Sequence, residues 1–242
     1  MKTILIGVLA TAISVSAAFA GSHSIRMGTE GAYEPYNFVN DKGEVDGFER
    51  ELGDKLCEIA GYDCTWVKND WDSIIPNLTS GNYDTIMAGM SITDERKEKI
   101  NFTEAYFPPD PSAFVALAGA GADVIKGNVA AQTNTIQAGH VSNSGATLVE
   151  FSTPDETIAA VRNGEVDAVM ADKAYLNKLV EESGGELEFV GDDVMLGTGI
   201  GMGLRKSDEE MLEKFNAAIK QVKSDGSLNA MIKKWFSMEG PY

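Results

Sequence analysis

The sequence predicts an α/β protein of two similar lobes, each a mainly parallel sheet flanked by helices. Three observations carry this. Strand patterns alternate with amphipathic helix patterns along the chain after residue 20. One stretch repeats in plan: "DSIIPNLTSGNYDTIMAGM" and "DETIAAVRNGEVDAVMAD" each read as an acidic N-cap, two apolar helical turns, a glycine and, after two intervening residues, an aspartate (Asp84, Asp167) opening a buried strand. The chain left after residue 20, about 222 residues, holds ample core for two small domains.

The first twenty residues stand outside that pattern. "MKT" carries one positive charge, "ILIGVLATAISVSA" is apolar and small, and Ala18-Phe19-Ala20 fits a small-x-small cleavage site. Residues 1–20 therefore read as a secretory signal peptide, and the mature chain begins near Gly21. The apolar run is short for a membrane span, and no cysteine follows it for lipidation.

"SIRMGTE" (24–30) predicts the first strand, followed by a loop rich in Gly, Pro and aromatics. Phe48, Leu52, Leu56 and Ile59 share one face of a helix over 48–60; Gly61 then reverses the chain into the strand "CTWVK". A helix over 71–81 takes Asp72 as its N-cap, and Pro76 kinks it or confines it to short turns. "YDTIMAGM" is the next strand. Thr93 caps a helix with Asp94 and Glu95 in its first turn. Strand "NVAAQ", a helix from near Thr135, strand "ATLVEF", helix "PDETIAAVRNG", strand "VDAVMAD" and helix "KAYLNKLVEES" continue the alternation. Two amphipathic helices end the chain, the first opened by a Ser207–Glu210 capping box.

The formal net charge of −17 becomes −18 once Lys2 is cleaved away. Such acidity argues against nucleic-acid and anionic-membrane partners and favours a cationic ligand. The only cysteines, Cys57 and Cys64, flank "EIAGYD". An even count in an exported chain favours a disulfide. A thiol nucleophile or a metal site would have only His23 and His140 to assist it, and no metal or cofactor is predicted.

Arg96 falls near the third position of its helix, where the partial positive charge of the N-terminus makes a cation misplaced unless an anion meets it. Ser91 and the backbone N–H groups near Thr135 and Ile136, at the start of a helix in the other half, add donors for that anion. Ligands of open α/β sheets lie beyond the carboxyl ends of strands. The repeated strands end at Gly89 and Asp172, so Gly89 to Ser91 and Asp172 face one cleft. A carboxylate bound near Arg96 with an ammonium near Asp172 describes an α-amino acid. Tyr33 and Trp71 then sandwich its side chain, and Glu30, at the end of the first strand, receives a distal positive charge. Taken singly, these residues have plainer readings: Arg96 as a surface pair with Asp94 or Glu95, Asp172 as an N-cap for the helix from Lys173, Tyr33 and Trp71 as packing.

The ordered set "GTEGAYEPYNF", "GEVDGFERELGDKLCE", "WDSIIPNLTSGNYDTIMAGMSITDER", "GEVDAVMAD", "GTGIGMGLRK" and "DGSLNAMIKKWF" resembles the periplasmic polar-amino-acid-binding proteins of ABC importers. That group includes the lysine/arginine/ornithine-, histidine- and arginine-binding proteins, and the resemblance spans essentially the whole mature chain. It implies a type II periplasmic-binding-protein fold with two crossover hinge strands, lobe 1 from 21–108 and 200–242 and lobe 2 from 109–199, closing on its ligand by hinge motion. It implies that Arg96 and the Ser91 amide hold the ligand carboxylate. Asp172, the Gly89 carbonyl and the Ser91 hydroxyl would hold the α-ammonium, while Tyr33 and Trp71 stack on the side chain with Glu30 at its far end. Gln132 and Gln137 match pocket-lining positions, and Cys57 and Cys64 match the family's disulfide.

The chain departs from that pattern in places. Relatives carry Gly-Ser/Thr-Thr where this chain has Asn134-Thr135-Ile136, so Ile136 replaces a hydroxyl and offers only its backbone N–H. Ala88 and Gly89 stand where the lysine/arginine/ornithine type has two serines, which is closer to the arginine-binding members, and the stretch 117–127 is shorter and rich in Gly and Ala. The implied protein is a periplasmic monomer that delivers a basic L-amino acid to an inner-membrane ABC permease: arginine first, then lysine, ornithine or a related opine. Two other readings share the scaffold. One is an enzyme resembling cyclohexadienyl dehydratases. The other is a soluble sensor module, disfavoured because the chain ends at "SMEGPY" without a signalling segment.

Overall fold

The computed structural model describes residues 23–242; the signal peptide and cleavage site expected from the sequence lie outside the described residues. Asp84 and Asp167 open the same step in two separate sheets. The Asp84 N–H donates to the Arg26 carbonyl (2.8 Å), and its Oδ2 accepts from the Arg26 N–H (3.0 Å). Asp167 makes the same two bonds with Asn128, at 2.8 Å and 2.7 Å. Each aspartate ties the strand it precedes to the neighbouring strand, so the repeat in sequence is a repeat in space.

The chain starts with β1 (His23–Thr29) and passes through a small antiparallel sheet of β2 (Ala32–Tyr33), β3 (Asn37–Val39) and β4 (Val45–Asp46) into α1 (Phe48–Ala60). Gly61, left-handed at φ 74°, ends α1. A disulfide between Cys57 and Cys64 ties its last turn to β5 (Tyr62–Lys68). Next come α2 (Ile74–Thr79), β6 (Thr85–Ile86), α3 (Asp94–Lys99) and β7 (Asn101–Phe102). The second lobe holds β8 (Ser112–Leu117), β9 (Asn128–Gln132), α4 (Ile136–Ser144), β10 (Thr147–Phe151), α5 (Pro154–Arg162), β11 (Ala168–Asp172), α6 (Lys173–Glu182) and β12 (Leu187–Val194). The chain returns to the first sheet with β13 (Gly203–Leu204) and closes with α7 (Glu209–Ser224) and α8 (Ser227–Phe236).

The two five-stranded sheets run β5-β1-β6-β13-β7 and β10-β9-β11-β8-β12. In both, the fourth strand opposes the other four. Those strands, β13 and β8, are the ones the chain enters on crossing from the other sheet. The connecting segments lie side by side: the Tyr106 N–H donates to the Ile200 carbonyl (2.8 Å), and the Ile200 N–H to the Phe107 carbonyl (3.1 Å). Phe48, Leu52 and Leu56 of α1 are buried with Phe215, Ile219 and Val222 of α7 and Leu228 and Ile232 of α8 in one cluster. Each such side chain contributes about 1.5–3 kcal/mol.

Four local expectations are corrected. The chain enters α2 through a 3-10 turn at Trp71–Ser73, so Asp72 lies inside the turn and caps nothing; Pro76 sits at the third position of the short helix, where its missing N–H costs no helical bond. The N-cap of α5 is Thr153, in a capping box with Glu156, rather than an acid. Helix α7 starts at Glu209 after Asp208, and the Ser207 hydroxyl donates to Asp208 Oδ1 (2.8 Å), so the Ser207–Glu210 box does not form. The strand read over 83–90 is ordered as β only at Thr85–Ile86; of its other residues, Ala88 and Gly89 line the cleft.

Candidate functional site

Beyond the carboxyl ends of β1, β9 and β11 lies a cleft, in the place where ligands of open α/β sheets bind. Glu30, Tyr33, Trp71, Ala88, Gly89, Ser91 and Arg96 line it from one lobe, and Gln132, Thr135, Ile136, Gln137 and Asp172 from the other. The structure thus gathers every candidate residue named from the sequence into one space.

Thr93 Oγ1 accepts the Arg96 N–H (3.2 Å), which sets Arg96 at the third position of α3. Its Nη1 donates to the Ser91 carbonyl (2.8 Å) and its Nη2 to the Asn134 carbonyl of the other lobe (3.1 Å). The neighbouring acids are engaged elsewhere, Asp94 with Lys97 (3.2 Å) and Glu95 with Lys99 (3.9 Å). The surface-pair reading of Arg96 is therefore set aside. Its guanidinium lies 5.4 Å from the Trp71 ring centroid. Burial pulls its pKa down to about 10, against the pull of Asp172 and Glu95. Arg96 is a cation short of counter-charge.

Thr135 caps α4, accepting the Ala138 N–H (3.1 Å) and donating to the Gln132 carbonyl (2.6 Å). The first-turn N–H groups of α4, that of Ile136 among them, have no carbonyl of their own helix to pair with. Gly197 packs against this end. A Cβ there would lie 3.2 Å from Ser91 Oγ and 3.6 Å from Ile136 Cδ1, so a side chain at 197 would crowd the Ser91 hydroxyl.

Asp172 stands at the N-cap position of α6 but makes no cap bond. Its Oδ1 accepts from Gln137 Nε2 (2.9 Å) and its Oδ2 from the Tyr33 hydroxyl (3.0 Å). Burial and the Asp110 carboxylate push Asp172 up to about 7, while Tyr33, Gln137 and Arg96 oppose the rise. Both aromatics of the expected sandwich line the cleft. Tyr33 stacks on Tyr175 (centroids 4.2 Å apart, planes at 12°), and Trp71 lies under Arg96.

Glu30 follows β1 and is 5% exposed. Its Oε1 accepts from Gln132 Nε2 (2.6 Å), which also donates to the Ser152 carbonyl (3.0 Å). Burial pushes Glu30 up to about 7, with Asp70 and Asp72 adding to the rise and Gln132 and Lys68 opposing it. Both cleft carboxylates are thus held by neutral donors.

Sequence reasoning passed over Glu49, whose place in the first turn of α1 reads as a dipole partner. It is fully buried, and burial raises its pKa. Its Oε1 accepts the Gly89 N–H (2.7 Å) and the Tyr106 hydroxyl, and its Oε2 accepts from Asn37 Nδ2 (2.7 Å). Asn37 Oδ1 in turn accepts the Gly31 N–H (2.7 Å), next to Glu30. One carboxylate therefore fixes two strips of the cleft wall. The signal that could have found it is an acid between Phe48 and Leu52 on the buried side of α1.

Residues 25–238 match the bacterial extracellular solute-binding proteins, family 3. The chain belongs to that family. Among its relatives within family 3 is the L-arginine-binding protein of Pseudomonas aeruginosa, 32% identical over 98% of this chain and 97% of that protein. A periplasmic His/Glu/Gln/Arg/opine family-binding protein from Silicibacter pomeroyi, solved in complex with lysine, is 69% identical, with a TM-score of 0.88 over 90% of this chain and 99% of the other. An ancestral amino-acid-binding protein described as a precursor of cyclohexadienyl dehydratase is 28% identical, with a TM-score of 0.79 over 88% of this chain and 95% of its own. The type II periplasmic-binding-protein fold expected from sequence is the fold of these family 3 relatives.

Proposed function

We propose that this protein captures a cationic L-amino acid, arginine or lysine, between its lobes in the periplasm and delivers it as a monomer to an ABC permease. The observation that carries the reading is the charge inventory of the cleft: one cation, Arg96, and two carboxylates, Asp172 and Glu30, each without a cationic side chain bonded to it. A basic amino acid is its complement, with one carboxylate and two cations. In this reading Arg96 and the Ser91 and Ile136 amides take the carboxylate, Asp172 the α-ammonium, and Glu30 the side-chain cation. The lysine complex of the 69% identical relative supports a cationic side chain. Arginine gains from the planar match of a guanidinium to Glu30.

The test is a thermal-shift screen of refolded protein against the twenty amino acids, ornithine, citrulline and octopine. A ligand at 100 times its Kd adds about 2.7 kcal/mol to stability. Selective shifts with arginine, lysine or ornithine are expected. A larger shift with a neutral or acidic amino acid would overturn the side-chain assignment. Pull-down from solubilised membranes distinguishes a permease partner from a sensor.

A second reading is an enzyme of the cyclohexadienyl-dehydratase type, favoured by one observation: Glu30 titrates near neutral pH, as a general acid would. Against it, the Asp172 site suits a bound ammonium rather than a reacting ring. Product formation from cyclohexadienyl substrates, followed by mass spectrometry, would establish it; none is expected.

A further inference from the structure

Asp172 leaves its own helix uncapped, and a residue of the hinge takes its place. Asp172 has the extended backbone of an N-cap (φ −63°, ψ 134°), yet its side chain makes no cap bond. The first N–H groups of α6 find acceptors in the crossover between β7 and β8. The Lys173 N–H donates to the Pro111 carbonyl (2.8 Å), and the Ala174 N–H to Asp110 Oδ2 (3.0 Å). Ala174 is the second residue of α6, where an N-cap side chain normally bonds. The same Asp110 oxygen accepts from the hydroxyl of Tyr36, a fully buried residue of the other lobe (3.4 Å). Asp110 is therefore held at one point by the lobe 1 loop, the hinge and the helix that begins at the cleft.

We propose that Asp110 is a positioning residue of the ligand site: by capping α6 from the hinge, it leaves the Asp172 carboxylate free to face the ligand. This rests on the reading of Asp172 as partner of the α-ammonium. Without Asp110, the open N-terminus of α6 competes with the ligand for Asp172, which is already in position to cap it. The competition has the size of an N-cap, about five- to tenfold in affinity.

Charge complicates a single substitution. Asp110 also faces Lys173 and Asp193, and it acts on Asp172 as a like charge. Removing it makes Asp172 easier to ionise, which on its own tightens binding. The comparison is therefore between Asp110→Asn, which keeps a cap acceptor, and Asp110→Ala, which does not; both lack the charge. Arginine affinity, measured by calorimetry, should be about five- to tenfold weaker in the alanine variant than in the asparagine variant. With 5-guanidinopentanoate, which lacks the α-amine, the ratio should fall to near one, and likewise for arginine in an Asp172→Ala background. A ratio near one with arginine overturns the proposal. So does an equal ratio with both ligands, which is what a merely structural role gives. Asp110→Gln, too long to cap in the same way, replaces the alanine variant if that does not refold. Failure of the underlying reading appears separately: wild-type protein would bind no arginine, or Asp172→Ala would bind it unchanged.

Discussion

The Tyr33 hydroxyl donates to Asp172 Oδ2 (3.0 Å) and accepts the Asp172 N–H (3.1 Å), joining the two lobes at a single residue. Tyr33→Phe keeps the stack on Tyr175 and removes both bonds. An orphaned buried N–H costs about 1–3 kcal/mol, and here the cost falls on a contact between the lobes. Affinity for arginine or lysine should weaken about tenfold. Unchanged affinity, measured by calorimetry, would mean that the bond is dispensable to closure.

Arg96→Ala should abolish binding of every amino acid, whatever its side chain. The ligand carboxylate loses its only charged partner in the cleft, at roughly 3–5 kcal/mol for a broken buried pair. Arg96→Lys should recover part of this at most, because one ammonium cannot reach the Ser91 and Asn134 carbonyls and the ligand together. Affinity surviving Arg96→Ala within about threefold would place the carboxylate elsewhere.

Glu49→Ala leaves the Gly89 N–H, the Asn37 amide and the Tyr106 hydroxyl without their shared acceptor. Each buried orphan costs about 1–3 kcal/mol, so the variant should lose several kcal/mol of stability. Glu49→Gln keeps an acceptor and should lose less. Urea denaturation of the three proteins orders them; equal midpoints would show that the network relaxes without cost.

Much of this was legible in the sequence because it is local or periodic. Alternation gave the α/β class, Thr93 announced its helix, and the repeated helix–Gly–Asp–strand plan brought Gly89 and Asp172 to one cleft, although Gly89 lies beyond the end of its strand at Ile86. What escaped depends on partners far apart in the chain. The strands Ser112–Leu117 and Leu187–Val194 pair with each other, and an apolar run such as "SAFVAL" carries no mark of its partner. The Tyr33–Tyr175 stack spans the two lobes, and nothing in the local sequence around Tyr33 marks Tyr175 as its partner. The absent capping bond of Asp172 depends on Asp110, a residue whose local context is only "FPPDPS". Sequence spacing located the site, whereas the hydrogen bonds that hold its carboxylates in place required coordinates.

Glu30→Gln removes the distal charge and keeps the shape. Arginine, lysine and ornithine should each lose affinity by about tenfold or more, the scale of a charge-assisted hydrogen bond. Citrulline or glutamine, if they bind at all, should be unaffected or gain. A uniform loss across charged and neutral ligands, read from a competition series, would make Glu30 a structural residue tied to Gln132.

The two cleft carboxylates also predict a pH dependence of definite sign. Glu30 and Asp172 both titrate near 7, above their ordinary values of 4.5 and 3.8, chiefly because burial disfavours their charged forms. In the ligand-free protein their contribution to stability is therefore fully present below about pH 4 and is lost as pH rises through about 7. A cationic ligand reverses the preference, since each cation pairs only with an ionised carboxylate. Binding must then expel protons wherever the free protein holds them, and affinity for arginine or lysine should rise from pH 5 to 7 and level off above. Well below pH 7 each carboxylate contributes up to about a tenfold change per pH unit. Calorimetry in two buffers of different ionisation enthalpy counts the protons directly: about two released at pH 6 and almost none at pH 8. In Glu30→Gln the count at pH 6 should fall by about one. Affinity that stays flat from pH 5 to 8, with no proton release, would mean that neither carboxylate changes its charge on binding, and the ligand's cations would then have to be met by other groups.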